Sequence, residues 1–218
     1  MGVKGKKESR LAEYLRSIHD RLYGIYGDCT CPLEHADAFQ LLVAVTLSAQ
    51  CRDDRVNQVT RLLFSASPDA RSMAEMPVER IEKIVQPCGL HKAKSRNIRA
   101  AAEMIRNKFG GAVPRTMEEL ISLPGIGRKS ANVILGNAFG VPGFPVDTHV
   151  RRLMNRLGAV ATQDPEKIEA VVNALVPPEL WTNFSHLLIT HGRKVCHAGR
   201  PECAKCVLND LCPEKGIR

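Results

Sequence analysis

Apolar residues recur at helical spacing along nearly the whole chain. The segment 95–109 shows the pattern, since its apolar positions lie three or four residues apart: Ile98, Ala102, Ile105 and Phe109. Such spacing places side chains on one face of an α-helix. No segment shows the strict alternation of a half-buried strand, and no Asn-Gly pair marks a tight hairpin turn. The sequence therefore predicts an all-α fold.

Several further helices can be placed from the same spacing. One is predicted over 36–48, where apolar residues surround the helix and indicate burial at the centre of the fold. Another is predicted to follow Asp53, a residue type suited to the N-cap. Two more are predicted over 166–176 and 181–191, separated by a pair of prolines. The segment 140–145, GVPGFP, interrupts the helices and is the expected boundary between two domains.

The overall composition is that of a globular protein with a basic surface. Of 218 residues, 44% are hydrophobic and 25% are charged, and the net charge is +8. A basic excess favours a polyanionic partner, nucleic acid first. Only 5% of the residues are aromatic, which argues against a platform that stacks single-stranded bases. Because we find no apolar run of membrane length and no signal-peptide core, we expect a cytoplasmic protein, nucleoid-associated in a bacterium.

Two segments concentrate the positive charge. Residues 90–108 hold six Lys or Arg against one Glu, and residues 193–218 hold six against three acids. Either segment can be a solvated face of the protein, or it can contact phosphate groups.

The segment 116–139, TMEELISLPGIGRKSANVILGNAF, predicts two short helices joined by a tight turn. Thr116 and Glu119 have the spacing of a capping box, so the first helix begins there, and Pro124 ends it. The second helix is predicted to begin near Arg128.

Glycines in the turn of this hairpin suggest an anion site. Gly125 and Gly127 permit positive φ angles and close approach of a ligand to the backbone. Their amides, together with those at the start of the second helix and the Arg128 side chain, can bind a DNA phosphate without reading its sequence. The alternative is a helical corner in which the glycines only permit tight packing.

Two residues have types suited to catalysis. Lys129 lies in the first turn of the second helix, where the positive end of the helix dipole disfavours a protonated amine and so favours a nucleophile. The alternative is an exposed lysine that contacts phosphate. Asp147, in the motif VDTH, precedes an apolar helical stripe and can act as its N-cap, as a proton acceptor, or as both. His149 is interpreted as a packing or phosphate-contacting residue.

Four of the eight cysteines lie close together near the C-terminal end of the sequence given. Cys196, Cys203, Cys206 and Cys212 have the spacing C-x6-C-x2-C-x5-C. Four thiolates within so short a segment predict a metal site, and this spacing is compatible with zinc or with an iron–sulfur cluster. In either case the metal can hold a loop whose basic residues meet phosphate: Lys194, Arg200 and Lys205.

Taken together, these motifs resemble the endonuclease III family of helix-hairpin-helix DNA glycosylases. The resemblance rests on LPGIGRKSANVIL, then VDTH, then the four-cysteine spacing, in that order. LSAQCRDD at 47–54 and CGLHKAK at 88–94 are also similar to segments of that family. The resemblance extends from about residue 36 to residue 212.

The resemblance implies a fold and a set of partners. It implies a six-helix lobe over 31–141 that contains the hairpin at about 116–139, and a second lobe formed by 1–30 and 142–218, with the active site in the cleft between them. It implies a 4Fe–4S cluster on the four cysteines of the second lobe. Damaged double-stranded DNA is the implied partner of a monomeric enzyme, with no membrane partner.

The resemblance also implies an activity and residue roles. The enzyme would remove oxidised pyrimidines and then cleave the strand by β-elimination, with Lys129 as the Schiff-base lysine and Asp147 as its partner carboxylate. Gln50 and Leu90 would enter the gap left by the extruded nucleotide, tasks suited to an amide and an apolar wedge.

Three other interpretations compete with this one. The adenine-type glycosylases of the same superfamily lack the lysine nucleophile, whereas Lys129 is present here. A DNA-binding module without catalytic activity would not need Lys129 and Asp147 together. A small electron carrier would not need so basic a chain.

Overall fold

The computed structural model describes residues 3–213, and most of them are helical. The α-helices are, in chain order, α1 Val3–Tyr26, α2 Ala38–Ser48, α3 Asp53–Ala66, α4 Ala70–Glu75, α5 Val78–Val85, α6 His91–Lys108, α7 Met117–Ile121, α8 Arg128–Ala138, α9 Thr148–Arg156, α10 Pro165–Leu175 and α11 Trp181–Lys194. Short 3₁₀ turns cover Gln86–Cys88, Pro178–Leu180 and Cys203–Lys205. Residues 3–213 contain no β-strand, so the predicted all-α class is confirmed. Within this range no helix has both the length and the apolar character needed to cross a membrane.

The chain forms two compact units. One is Cys31–Val141, which holds α2 to α8: six helices of six or more residues and the five-residue α7. The other joins the segment that ends at Thr30 to the segment that begins at Pro142, and it holds α1, α9, α10 and α11.

Helix α2 forms the centre of the first unit. Asp37 caps it by accepting a hydrogen bond from the Gln40 amide at 2.8 Å. Eight of its eleven residues are buried, and Leu41, Leu42 and Leu47 are fully so. Each of these leucines contributes about 1.5–3 kcal/mol through the apolar surface it removes from water. The prediction that 36–48 is a buried central helix is therefore confirmed.

Helix α3 begins one residue earlier than predicted. Its N-cap is Arg52, in an extended conformation, and Asp53 is the first helical residue. The prediction that Asp53 caps this helix was wrong. Asp53 and Asp54 instead place their carboxylates in the first turn, where negative charge is stabilised by the helix dipole.

The second unit has its own apolar core. Phe144 and Phe184 are fully buried, with their ring centroids 5.8 Å apart, and α1 contributes Leu15, Ile18 and Leu22. Where α9 meets α11, residue 192 is a glycine. A Cβ atom on it would lie 3.0 Å from both Cβ and Nδ1 of His149. The two helices therefore approach so closely that a Cβ atom here would force the His149 side chain to shift.

Candidate active site and cysteine cluster

Helices α7 and α8 form the predicted hairpin. The Thr116 hydroxyl accepts a hydrogen bond from the Glu119 amide at 3.3 Å and donates one to the Glu119 carboxylate at 2.9 Å. Thr116 is therefore the N-cap of α7, as its spacing from Glu119 indicated. In the turn, Ile126 is buried and its amide bonds to the carbonyl of Leu123 at 3.1 Å, which anchors the turn to the core.

The two glycines of the turn have different tasks. Gly125 has a φ of +82°, and a Cβ atom there would lie 2.8 Å from Nδ2 of Asn97, so both conformation and space require glycine. Gly127 has a φ of −97° and is extended, so the expectation of a positive φ is correct for Gly125 alone. Gly127 is the N-cap of α8 without a side-chain hydrogen bond, and a Cβ there would meet nothing within 4 Å. The start of α8 is thus open to a ligand.

Lys129 and Arg128 lie at this open end. They are the second and first residues of α8, and both are exposed. The first amides of an α-helix have no partner within the helix. A phosphate placed here would meet those amides, the positive end of the helix dipole and two cationic side chains.

Asp147 is the N-cap of α9, as the sequence predicted. Its Oδ1 accepts a hydrogen bond from the Val150 amide at 2.8 Å, and the side chain is half-buried. Val150, Leu153 and Met154 form the buried face of the helix behind it. The cap therefore fixes the carboxylate on a rigid element.

His149 packs beside Arg152. Its Nδ1 lies 3.2 Å from Nη2 of the arginine, and the ring is half-buried against Gly192. Burial lowers the pKa of His149; Asp147 opposes this effect, while Arg152 and Arg193 add to it. The neutral imidazole can accept a hydrogen bond from Arg152, which fits the packing role proposed for it.

Gln50 and Leu90 share an unusual backbone conformation. Their φ angles are +54° and +48°, and within residues 3–213 they are the only non-glycine residues with positive φ. This left-handed conformation costs a non-glycine residue about 1–2 kcal/mol. Both side chains are exposed, and 57% of the Leu90 surface is accessible to water. Strained residues concentrate where function demands a fixed geometry.

All four clustered cysteines line one cavity. The polar residues that line the cavity with them are Arg156, His191, Glu202 and Asn209, and the rest of the lining is apolar. Among the residues described, no three His, Cys, Asp or Glu side chains are arranged to hold a metal ion. Burial raises the pKa of Cys206, and the neighbouring Cys196, Cys212 and Cys203 raise it further. Four thiolates gathered around one cavity therefore need positive charge to offset their repulsion.

The sequence and the fold have well-defined relatives. Residues 43–178 match the family model described as "HhH-GPD superfamily base excision DNA repair protein". The chain is 47% identical to Endonuclease III from Synechocystis sp., and the alignment covers 87% of this chain and 87% of that protein. Endonuclease III in a non-covalent DNA complex has the same fold, with a TM-score of 0.89, 40% identity, and coverage of 93% of this chain and 95% of that one. The chain belongs to the endonuclease III family.

A second solved structure is described as a trapped covalent intermediate of Endonuclease III with DNA. It matches this chain with a TM-score of 0.89 and 40% identity, covering 93% of this chain and 96% of its own. The segment that matches the family model contains the hairpin, Lys129 and Asp147, whereas the four cysteines follow it. The resemblance drawn from the motifs is confirmed at the level of the family.

Sequence reasoning did not single out two arginines of α9, Arg152 and Arg156. Arg152 donates to the carbonyls of Gly192 at 2.9 Å and Cys196 at 2.8 Å. Arg156 donates to the carbonyls of two residues just after Cys196, each at 2.8 Å, and its Nη1 lies 3.4 Å from Cys196 Sγ. Their i, i+4 spacing places them on one helix face, which is a signal that the sequence does carry.

His191 is a further residue that the sequence analysis missed. It is buried, with Nε2 at 3.2 Å from Cys206 Sγ and Nδ1 at 3.0 Å from the Tyr26 hydroxyl. Burial lowers the pKa of His191 to about 4, so the ring is neutral near pH 7. If the Tyr26 hydroxyl donates to Nδ1, the proton on Nε2 faces the sulfur of Cys206.

The two basic segments are less uniformly exposed than their composition suggested. In 90–108, Lys94 is buried and Arg99 pairs with Glu103 at 3.1 Å. In 193–218, Lys205 pairs with Glu202. Residues 214–218 of that segment lie outside the described residues.

Proposed function

We propose that the protein is a bifunctional DNA glycosylase that removes oxidised pyrimidines from duplex DNA and then cleaves the strand at the abasic site. The observation that carries the proposal is Lys129, an exposed amine at the open N-terminus of α8, in a chain of the endonuclease III family. A phosphate bound by the amides of this helix would hold the damaged strand beside the amine.

The proposed reaction begins with a flipped nucleotide. A damaged base costs less to extrude than an intact one, which contributes to selectivity. Gln50 and Leu90 enter the gap in the duplex, the amide facing the orphaned base and the leucine wedging the stack open. The neutral Lys129 amine attacks C1′ as the C1′–N bond to the base breaks, and the base leaves with the bonding electron pair.

The covalent intermediate then leads to strand cleavage. A proton passes from the lysine nitrogen to the ring oxygen O4′ as the C1′–O4′ bond breaks, which opens the sugar and gives an iminium between Nζ and C1′. The iminium acidifies the hydrogens on C2′; removal of one forms a C1′–C2′ enamine, and this expels the 3′ phosphate by β-elimination. Asp147 accepts protons in these steps and stabilises positive charge on the sugar. Its bond to the Val150 amide uses Oδ1 and fixes the direction of Oδ2, the oxygen we assign to the reaction.

Trapping with borohydride tests the nucleophile. Reduction of the iminium links protein to DNA irreversibly, so wild-type protein incubated with a thymine-glycol duplex and borohydride should give a covalent adduct. Lys129→Gln should lose the adduct and base release completely, while its fold and most of its DNA affinity remain, because the side chain is exposed. Lys83→Gln, an exposed lysine of α5, is the matched control and should trap like wild type. An adduct formed by Lys129→Gln would show that another amine is the nucleophile.

We also propose that Cys196, Cys203, Cys206 and Cys212 hold a 4Fe–4S cluster. In such a cluster each thiolate binds a different iron, so four ligands that surround a shared cavity suit it. Arg156 and His191 reach the sulfurs of Cys196 and Cys206 and can stabilise their negative charge. When bound, the cluster would fix the loop that carries these cysteines, and no step of the proposed reaction requires electron transfer.

The cluster proposal predicts colour and composition. Purified protein should be yellow-brown, absorb near ~400 nm through thiolate-to-iron charge transfer, and contain equal amounts of iron and acid-labile sulfide. Cys31→Ser changes a cysteine of the other unit and should leave these properties unchanged. A colourless, active protein with one zinc per chain would contradict the proposal.

We propose that the protein acts as a monomer in the cytoplasm, on nucleoid DNA. The monomer is supported by the fact that a single chain supplies every residue assigned to the reaction.

A further inference from the structure

Lys94 is a buried lysine to which the proposed reaction assigns no part. It lies in the first turns of α6, and only 4% of its surface is exposed. Its ammonium donates to three backbone carbonyls: Leu47 at 2.8 Å, Ala49 at 2.7 Å and Cys88 at 2.8 Å. These bonds use all three donors of the ammonium. Burial lowers the pKa of Lys94, an effect that the nearby Cys51 and Cys88 oppose.

The three carbonyls belong to two separate stretches of chain. Leu47 and Ala49 form the C-terminal end of α2, directly before Gln50. Cys88 ends the 3₁₀ turn that comes two residues before Leu90. The carbonyls at a helix end carry partial negative charge, which an ammonium stabilises. Lys94 therefore joins the backbone that precedes Gln50 to the backbone that precedes Leu90.

These are the two stretches that lead into the strained residues of the first unit. Both Gln50 and Leu90 hold positive φ angles, and both side chains face water. Because both side chains are largely exposed, the hydrogen bonds of the backbone on either side are the contacts that can hold this conformation. The backbone amide of Lys94 also donates to the Leu90 carbonyl at 3.0 Å, so the same residue contacts this stretch through a second group.

We propose that Lys94 is a positioning residue, whose ammonium locks the Gln50 and Leu90 turns together so that both side chains enter the duplex as one rigid pair. The inference rests on the proposed function, because it takes those two residues to be the ones that enter the DNA. Lys94 touches neither the DNA nor the reacting atoms. Its effect is to fix in advance a geometry that would otherwise have to be ordered on binding.

Two substrates distinguish a positioning role of Lys94 from a general role in folding. A thymine-glycol duplex requires the gap to be filled, whereas a single-stranded oligonucleotide with an abasic site has no opposite strand and no gap. Lys94→Met keeps the length of the side chain but removes its hydrogen bonds. We expect it to slow base release from the duplex at least tenfold and to leave borohydride trapping on the single strand within twofold of wild type. Lys108→Met, on the exposed end of the same helix, should change neither.

A fluorescent base gives a readout that does not depend on turnover. With 2-aminopurine opposite the lesion, binding of wild-type protein should raise fluorescence as the orphaned base loses its stacking partners. Lys94→Met should reduce this rise as Leu90→Ala does. Lys94→Gln keeps an NH₂ donor, so its fluorescence rise should lie between those of wild type and Lys94→Met. If Lys94→Met does not fold, Lys94→Gln takes its place in these experiments.

A mutant cycle tests whether Lys94 acts through the two side chains. In a protein that already carries Gln50→Ala and Leu90→Ala, adding Lys94→Met should slow the duplex reaction less than twofold, because nothing is left to position. A full tenfold loss in that background, or equal losses on the duplex and the single strand, would make Lys94 a folding residue only and overturn the inference. If Gln50→Ala and Leu90→Ala leave duplex activity intact, the inference fails while the Lys129 reaction stands. Absence of trapping in wild type would instead overturn the proposed function.

Discussion

At the scale of single residues, Asp147 caps a helix and, in the proposed reaction, also accepts protons on the same carboxylate. Its Oδ1 caps α9 through the Val150 amide, and the cap sets the orientation of the other oxygen. An N-cap contributes about 1 kcal/mol to stability. Asparagine caps helices as well as aspartate does but cannot accept a proton from the substrate, so one substitution can separate the two tasks.

Asp147→Asn should therefore lower activity without unfolding the protein. We expect glycosylase turnover to fall by ~100–10,000-fold, the range typical of a lost acid–base group, while the free energy of unfolding changes by less than about 0.5 kcal/mol. Single-turnover kinetics and urea denaturation measure the two effects. Asp164→Asn is the control, because the Asp164 carboxylate also caps a helix, accepting from the Glu166 amide at 3.0 Å at the start of α10; the substitution should affect neither quantity. A large loss of stability in Asp147→Asn would mean that the cap, and not the chemistry, explains any loss of activity.

At the scale of elements, α9 and α11 cross so closely at Gly192 that a side chain there would push against its neighbours. A Cβ there would meet Cβ and Nδ1 of His149 at 3.0 Å and Nη2 of Arg152 at 3.1 Å. Overpacking costs about 1–3 kcal/mol, and replacing glycine by alanine in a helix gains about 1 kcal/mol. Gly192→Ala should thus lower the free energy of unfolding by up to about 2 kcal/mol, measured by urea denaturation.

Gly24 of α1, unlike Gly192, has space for a side chain. A Cβ atom on Gly24 would meet nothing within 4 Å, so Gly24→Ala should raise the free energy of unfolding by up to about 1 kcal/mol. If Gly192→Ala stabilised the protein as Gly24→Ala is expected to, there would be space for a Cβ atom where α9 and α11 cross, contrary to the geometry described above.

Local signals predicted most of the elements and some of the site. Thr116 could be recognised as a cap from its spacing to Glu119, and Asp147 because it directly precedes an apolar helical stripe. Asp53 was misplaced because several polar residues adjoin it, and no local rule decides which of them caps α3. Lys94 could not be found in this way, since two of its acceptors lie 45 and 47 residues away and are backbone carbonyls that any residue type supplies.

At the scale of the whole molecule, the net charge of +8 predicts how binding to undamaged duplex depends on salt. Contacts from helix amides and basic side chains go to phosphates, and each one releases a counterion. With about four such contacts, affinity should fall by roughly two orders of magnitude between 50 and 200 mM salt. Fluorescence anisotropy measures this, and a neutral osmolyte at equal osmolality is the control. An affinity that does not change with salt would contradict a phosphate-binding surface.

The order of the two units along the chain has a consequence for biosynthesis. The unit Cys31–Val141 is continuous, so it can fold on the ribosome while later codons are still being read. The other unit needs both α1, which precedes the continuous unit in the chain, and the cysteine segment, which follows it. The apolar face of α1, with Leu15, Ile18 and Leu22, therefore stays without its core partners during most of synthesis and is a surface for chaperones to shield. The 4Fe–4S cluster proposed above could assemble only after Cys212 has left the exit tunnel, later than the α7–α8 hairpin of the continuous unit can fold.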